Sequence, residues 1–142
     1  MAYNLLKGKK GLIFGALNEQ SIAWKVAERA VEEGAEIVLT NNATSVADLE
    51  NLMDRTMEHF GGKFDFMLHS IGMSPNVRKG RTYDDLDYDY LSKTLDISAI
   101  SFHKAIQVAR KKDAINDWGS IVALSYIAAQ RTLYGYNDMA DA

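Results

Sequence analysis

The sequence contains no cysteine and only one proline, Pro75, among its 142 residues. The absence of cysteine excludes disulfide bonds and thiolate metal sites, and it makes a reducing cytoplasm the expected compartment. The histidines at positions 59, 69 and 103 are scattered without the spacing of metal ligands, so we expect no metal site. No apolar run approaches the ~20 residues of a membrane span, and residues 1–10 hold no signal-like apolar core, so we expect no membrane partner.

The sequence also lacks an excess or a dense block of basic charge. The formal net charge is −3, and the one short basic run, residues 78–81, adjoins the acidic segment 84–89. Nucleic acid and anionic membrane surfaces are therefore not expected partners. Hydrophobic residues make up 47% of the sequence, the share of an ordinary soluble globular protein, and 142 residues are about one domain with a sizeable core.

Apolar residues repeat with two different periods along the chain. Runs typical of buried strands occupy residues 11–14, 36–40, 64–70 and 119–125, and one-sided helical stripes occupy residues 21–33, 46–60, 84–91 and 97–111. Gly34 can end the first helix, Ser45 can cap the second, and the polar residues 76–82 predict a loop. Strands that alternate with helices in this way predict an α/β fold with a parallel sheet.

In such a sheet, ligands bind at the carboxyl ends of the strands. Gly15 ends the first strand, where a glycine permits a tight turn and the close approach of a phosphate. The next helix begins near Ser21, and the N–H groups of Ser21, Ile22 and Ala23 could hold a pyrophosphate. Only one glycine of the Gly-x-Gly-x-x-Gly pattern is present, so a plain strand-to-helix turn is an open alternative.

The third strand ends in the small-residue sequence Ser70, Ile71 and Gly72, which suits a ribose or a nicotinamide ring lying across the strand end. Gly72 could equally belong to an ordinary loop. His69 lies within the run of strand residues, and we expect it to pack in the core.

Two tyrosines follow the fourth strand, Tyr126 directly after it and Tyr136 ten residues later. A tyrosine hydroxyl near a bound nicotinamide can polarise a carbonyl or stabilise an enolate. Both tyrosines could instead serve packing alone. No Gly-x-Ser-x-Gly or Walker-type loop is present that would indicate other chemistry.

Taken together, these segments resemble the enoyl-acyl-carrier-protein reductases of bacterial fatty-acid synthesis, a divergent branch of the short-chain dehydrogenase/reductase superfamily. The resemblance covers nearly the whole chain and implies a Rossmann-type, doubly wound fold. The matching motifs are G-A-x5-S-I-A at 15–23, H-S-I-G at 69–72, D-I-S at 96–98, G-S-I-V-x-L-S-Y at 119–126 and Y-N-x-M at 136–139.

The resemblance implies that the cofactor is NADH and that the substrate is a trans-2-enoyl thioester of acyl carrier protein. The family's tetramer implies self-association as well. The residues that the resemblance places along the cofactor, from the pyrophosphate to the nicotinamide, are Gly15, Ser21, Ile22, Ala23, Ser70, Ile71 and Gly72.

Tyr136 matches the catalytic tyrosine of the family's Tyr-x6-Lys pair, and Tyr126 matches the tyrosine ahead of it that borders the substrate. The implied reaction delivers a hydride to the β-carbon of the thioester while the Tyr136 hydroxyl holds the enolate oxygen. The lysine of the pair would fall on the residue after Ala142. We therefore expect residues 1–142 to form a single truncated Rossmann-type domain without that group.

The sequence departs from the family pattern between Thr40 and Val46, where the family has an extra helix and strand. Asn42 and Ala43 stand where the family has an acidic-apolar pair beside the adenine, so Ala43 is the expected adenine neighbour. The shortened connection predicts four strands in the order 2-1-3-4, with helices on both faces. No basic residue follows the second strand to bind a 2′-phosphate, which favours NADH over NADPH.

Three other functions stay open. A non-catalytic nucleotide-binding fragment of the superfamily would bind NADH without turnover. A dehydrogenase of the Tyr-x3-Lys branch, acting on alcohols or ketones, is disfavoured because Ala140 stands where its lysine would be. A non-enzymatic interaction domain has little support beyond the self-association that an unpaired fourth strand and the apolar face of helix 97–111 predict.

Overall fold

The chain forms a four-stranded parallel sheet in the order β2-β1-β3-β4, which confirms the predicted topology. A computed structural model describes residues 2–41 and 45–142. The strands are β1 (Lys10–Phe14), β2 (Glu36–Thr40), β3 (Phe64–His69) and β4 (Ile115–Ala123). Because all four strands run in one direction, their carboxyl ends lie along one edge of the sheet.

Helices connect the strands, and both predicted helix ends are confirmed: Ser45 caps the second helix, and the first ends just before Gly34, whose φ is +93°. The helices are α1 (Ile22–Glu32), α2 (Val46–Phe60), α3 (Pro75–Arg78), α4 (Tyr88–Leu95) and α5 (Ser101–Lys111). Ser45 caps α2 by accepting a hydrogen bond from the Asp48 amide, and Ser21 caps α1 in the same way from the Trp24 amide. Among the described residues, no helix has the length and apolar character needed to cross a membrane.

The region after β3 differs from the prediction. Residues 76–82, predicted to be a loop, contain most of the short helix α3, which Ser74 caps and Pro75 begins. The predicted helix 84–91 begins only at Tyr88, because Asp87 caps it through its side chain. One turn of π-helix, Asp96–Ile100, then joins α4 to α5. A single continuous helical segment therefore replaces the two separate helices that were predicted.

The fourth strand, predicted at 119–125, begins and ends earlier, at Ile115 and Ala123. Ile115 pairs with Phe64, whereas Ser120 pairs with Phe66, so β4 holds extra residues between these two pairs. The extra residues form a bulge around Trp118, whose side chain is fully exposed and whose φ is +62°. The bulge consists of residue types that are common in turns, so the sequence pattern does not reveal that the strand begins before it.

The core has two layers, one on each face of the sheet. The larger one packs α2 and α5 against β1 and β3 through residues such as Leu12, Phe14, Leu49 and Phe64. The smaller one packs Ala23 and Ala27 of α1 against the other face, so helices cover both faces as predicted. β4 pairs only with β3 among the described strands and leaves much of its surface exposed.

Candidate active site

Gly15 joins the ends of three strands. Its backbone is left-handed, with φ of +91°, and its amide donates a 2.8 Å hydrogen bond to the carbonyl oxygen of Thr40 at the end of β2. On its other side, a Cβ at this position would clash with the backbone oxygen of Ser70 just after β3. The site therefore requires glycine here, because a side chain would push the end of β3 away.

The amino end of α1 follows Gly15 after a short turn. The Ser21 hydroxyl accepts from the Trp24 amide at 3.3 Å and donates to the Asn18 carbonyl at 2.8 Å, so Ser21 holds the turn and the helix together. Ala23 is buried against the sheet, whereas Ile22 is 66% exposed. The amides of Ile22 and Ala23 belong to the first helical turn, which has no carbonyl partners within the helix, so this end suits an anion.

Gly72 and the two tyrosines lie next to one another at the ends of β3 and β4. A Cβ on Gly72 would press on the Tyr126 hydroxyl, and the rings of Tyr126 and Tyr136 are 5.9 Å apart. Burial raises the pKa of the Tyr126 hydroxyl, and the neighbouring Tyr136 adds to the rise. The Tyr126 hydroxyl therefore stays protonated at neutral pH and is able to donate a hydrogen bond.

A cavity of about 200 Å³ lies between these strand ends and the carboxyl-terminal tail. Its lining is mostly apolar, with a few hydroxyl groups, and includes Ile71, Ser98, Phe102, Tyr126, Met139 and Ala142. A hydrogen bond from a hydroxyl group at the cavity wall is stronger than one in water, because the surroundings are less polarisable.

His69 serves packing, as predicted. It is buried, its Nε2 lies 2.8 Å from the Ser101 hydroxyl, and its ring lies against Phe14 and Phe102. Burial lowers the pKa of His69. The imidazole is therefore neutral in the folded chain at neutral pH, and it fixes α5 against the end of β3.

The buried imidazole predicts a pH-dependent stability. Below the ordinary histidine pKa of about 6.5, the unfolded chain binds a proton at His69 that the folded chain does not bind. The free energy of unfolding should therefore fall as the pH is lowered from about 6.5 through the folded-state pKa. Urea unfolding at several pH values gives the free energy of unfolding as a function of pH. This free energy should depend less steeply on pH in His69→Gln than in the wild type, whereas the exposed-site variant His103→Gln should keep the wild-type dependence. An equal dependence in all three proteins would contradict a buried neutral imidazole.

The structure thus brings the predicted residues Gly15, Ser70, Gly72, Tyr126 and Tyr136 into one connected line along the carboxyl edge of the sheet. Their roles stay predictions. Ala43, the expected adenine neighbour, lies outside the described residues. Within residues 2–41 and 45–142, no group of acidic, histidine or cysteine side chains is arranged to hold a metal ion.

Sequence reasoning missed a buried carboxylate next to this line. Asp138 is fully buried two residues after Tyr136, and hydroxyl and amide groups from distant parts of the chain surround it. The local sequence carries no sign of burial, because its partners are 44 to 64 residues away.

The comparisons with known sequences agree with the geometry. A family model described as enoyl-(acyl carrier protein) reductase matches residues 40–142. The enoyl-(acyl-carrier-protein) reductase (NADH) 1 of Rhizobium meliloti (strain 1021) is 32% identical over 165 aligned positions, covering 99% of this chain and 60% of that protein. The corresponding FabI of Rickettsia felis (strain ATCC VR-1525 / URRWXCal2) is 33% identical, and 62% of it is covered.

The chain is also similar to solved structures of enoyl-acyl-carrier-protein reductases. FabI from Alistipes finegoldii superposes with a TM-score of 0.96 at 83% identity, over 99% of this chain and 61% of that one. The FabI–NADH complex from the same organism gives a TM-score of 0.95 at 83% identity, over 98% and 58%.

The chain spans about 60% of the length of the curated relatives that it matches. Their alignments extend over 165 positions, more than the 142 residues of this chain, so the relatives hold residues within the matched region that this chain does not. The parallel sheet, the line of residues at its carboxyl edge and the match over residues 40–142 lead to one conclusion: the chain belongs to the enoyl-acyl-carrier-protein reductase family.

Proposed function

We propose that this chain binds NADH along the carboxyl edge of its sheet and takes part in the NADH-dependent reduction of trans-2-enoyl thioesters of acyl carrier protein in fatty-acid synthesis. The observation that carries the proposal is the connected line from Gly15 through Ser70 and Gly72 to Tyr126 and Tyr136, in a member of this family. Similar proteins are named NADH-dependent reductases, and the A. finegoldii FabI is described in complex with NADH.

The described residues fit a dinucleotide at this edge. The left-handed backbone of Gly15 makes the turn that leads from β1 to α1, and the amides of Ile22 and Ala23 would donate to the phosphate oxygens. Ser21 would border the pyrophosphate, although its amide already donates to the Asn18 carbonyl at 3.0 Å. The segment 70–72 would border the ribose and the nicotinamide, and Ala43 would lie near the adenine. When bound, NADH supplies the hydride that reduces the β-carbon of the thioester.

The tyrosines would act on the substrate oxygen. As the β-carbon is reduced, negative charge develops on the thioester oxygen, and the Tyr136 hydroxyl would donate a hydrogen bond to this enolate oxygen until the α-carbon takes up a proton. Tyr126, whose pKa is raised by burial, would border the substrate as a second protonated hydroxyl. The mostly apolar cavity beside Tyr126 would surround a substrate there with groups that are less polar than water.

The assembly and the compartment belong to the same proposal. We infer a cytoplasmic enzyme that works as a homo-oligomer, a tetramer by resemblance, with acyl carrier protein delivering the substrate. Support for self-association comes from the outer strand β4 and the residue after it, since the apolar side chains of Ile121, Val122 and Leu124 remain partly exposed.

A charge placed at the amino end of α1 tests where the cofactor binds. Ile22 is the first residue of the helix and is exposed, so Ile22→Asp should leave the fold intact. The new carboxylate would repel a pyrophosphate bound there, and NADH affinity should fall at least tenfold. Isothermal titration calorimetry with NADH measures the effect.

Val31→Asp is the matched control. Val31 is 56% exposed near the other end of the same helix, roughly 14 Å away, and the substitution changes the net charge equally. Salt at physiological strength screens charges beyond about 8 Å, so NADH affinity should stay near that of the wild type. Equal losses for both variants, or no NADH binding by the wild-type chain, would overturn the proposed site.

A further inference from the structure

Asp138 forms the centre of a buried hydrogen-bond cluster. The Ser74 hydroxyl donates to its Oδ1 at 2.6 Å, and the Asn76 side-chain amide donates to its Oδ2 at 2.8 Å. The Thr94 hydroxyl lies 2.9 Å both from the same Oδ2 and from the Tyr90 carbonyl oxygen. All four side chains are buried. We call these residues, Ser74, Asn76, Thr94 and Asp138, the Asp138 cluster.

The cluster joins three separate parts of the chain at the candidate site. Ser74 and Asn76 belong to the segment that begins two residues after Gly72, Thr94 belongs to α4, and Asp138 lies in the turn that starts at Tyr136. The amide of Met139 donates back to the carbonyl of Tyr136 at 2.9 Å and closes this turn. The position of Tyr136 relative to Gly72 therefore depends on the cluster.

Each partner in the cluster is itself fixed. The Asn76 side chain also exchanges two 3.1 Å hydrogen bonds with the backbone of Asp87, and the Ser74 hydroxyl accepts from the Val77 amide at 3.0 Å. A second contact runs parallel to the cluster, since the Ser98 hydroxyl accepts from the Met73 amide and also lies near the sulfur of Met139. The carboxylate is thus held by a rigid frame.

A buried carboxylate is a poor choice for stability alone. The donors described around Asp138 are hydroxyl and amide groups, and well-packed apolar groups of the same shape often replace such buried polar networks at little loss of stability. What the carboxylate adds is direction, because each oxygen must face its donors. Such a network specifies one arrangement of the surrounding segments.

We propose that Asp138 is a positioning residue for Tyr136, and that the Asp138 cluster sets the position of this tyrosine relative to the segment after Gly72. The inference rests on the proposed function for the importance of Tyr136, but the positioning itself is testable without NADH. Asp138 would not touch the substrate; it acts through the turn that carries Tyr136.

The test observes Tyr136 directly, by ¹⁹F NMR of the whole 142-residue chain with its tyrosines replaced by 3-fluorotyrosine. Tyr136→Phe assigns the resonance. Thr94→Val removes the hydroxyl that lies between Asp138 and the Tyr90 carbonyl while keeping the size of the side chain. Losing one hydrogen bond should raise the population of a displaced Tyr136 about fivefold. Asp138→Asn places an NH₂ group, which is a donor, against the donors of the cluster. It should therefore change the Tyr136 resonance more than Thr94→Val does.

Three controls separate positioning from general damage. Thr94→Ser restores the hydroxyl and should restore the wild-type Tyr136 resonance. Asp141→Asn alters an exposed carboxylate in the same tail and should leave it unchanged. The resonance of Tyr3, which is 71% exposed and lies beside Glu33 away from the cluster, should stay the same in every folded variant.

An unchanged Tyr136 resonance in folded Thr94→Val would overturn the inference, as would equal changes in the Thr94→Ser protein. Should Asp138→Asn fail to fold, the Thr94 pair still decides the question. NADH titration of the wild-type chain is a separate measurement: its failure would count against the proposed function, while the Tyr136 resonance would still decide the role of the cluster.

Discussion

Replacing Gly15 with alanine should destabilise the folded chain by about 3 kcal/mol or more. Two effects add: a non-glycine residue at a left-handed φ costs roughly 1–2 kcal/mol, and the new Cβ clashes with the Ser70 backbone oxygen. That oxygen cannot move alone, since the amide of Ser70 is bonded to the carbonyl of Phe14. Urea unfolding followed by circular dichroism measures the loss.

Gly80→Ala separates the clash from the backbone strain. Gly80 has a similarly left-handed φ of +67°, but nothing lies within 4 Å of a Cβ at that position. This variant should lose only about 1 kcal/mol. Equal losses at the two positions would contradict a tight junction between Gly15 and β3, and with it the geometry proposed for the pyrophosphate.

The parts of the fold that the sequence predicted well are those with local signals. The strand 36–40 and the helix 46–60 appear with the predicted bounds, because a short apolar run and a capped amphipathic stripe decide these elements without help from distant residues. The sheet order followed as well, since one helix between β2 and β3 leaves few ways to place four parallel strands.

The elements that were not predicted from the sequence depend on contacts between residues far apart in the chain. The early start of β4 requires Phe64 to pair with Ile115 across a bulge, and no periodic pattern within residues 115–119 signals that pairing. The turn of π-helix at Asp96–Ile100 keeps the helix continuous where the pattern of apolar residues changes phase.

The residues of the candidate site also differ in whether a local sequence signal marks them. Gly15, Gly72, Tyr126 and Tyr136 could be found from the sequence, because each directly follows a strand or matches a family motif. Asp138 could not, because its burial arises from partners in two distant segments that only the folded chain brings to it.

Tyr136→Phe should lower the rate of enoyl reduction by roughly 10²–10³-fold while leaving NADH affinity unchanged. Removing one hydrogen-bond donor from a developing oxyanion has an effect of this size, and the phenyl ring keeps the packing against Tyr126. The assay is the loss of NADH absorbance with crotonyl thioester. The host is this chain extended past Ala142 with a lysine and the sequence that follows in the A. finegoldii FabI, of which the chain covers 61%.

Tyr134→Phe is the matched control, since the same hydroxyl is removed two residues away from a side chain that is 97% exposed. Its kcat should equal that of the unsubstituted extended chain, because a solvated hydroxyl donates to water and not to the substrate. A wild-type kcat for Tyr136→Phe, or equal losses for both tyrosines, would rule out Tyr136 as the donor. NADH binding without any turnover by the unsubstituted extended chain would instead favour a non-catalytic nucleotide-binding role, because the line of residues would then hold the cofactor without directing its hydride.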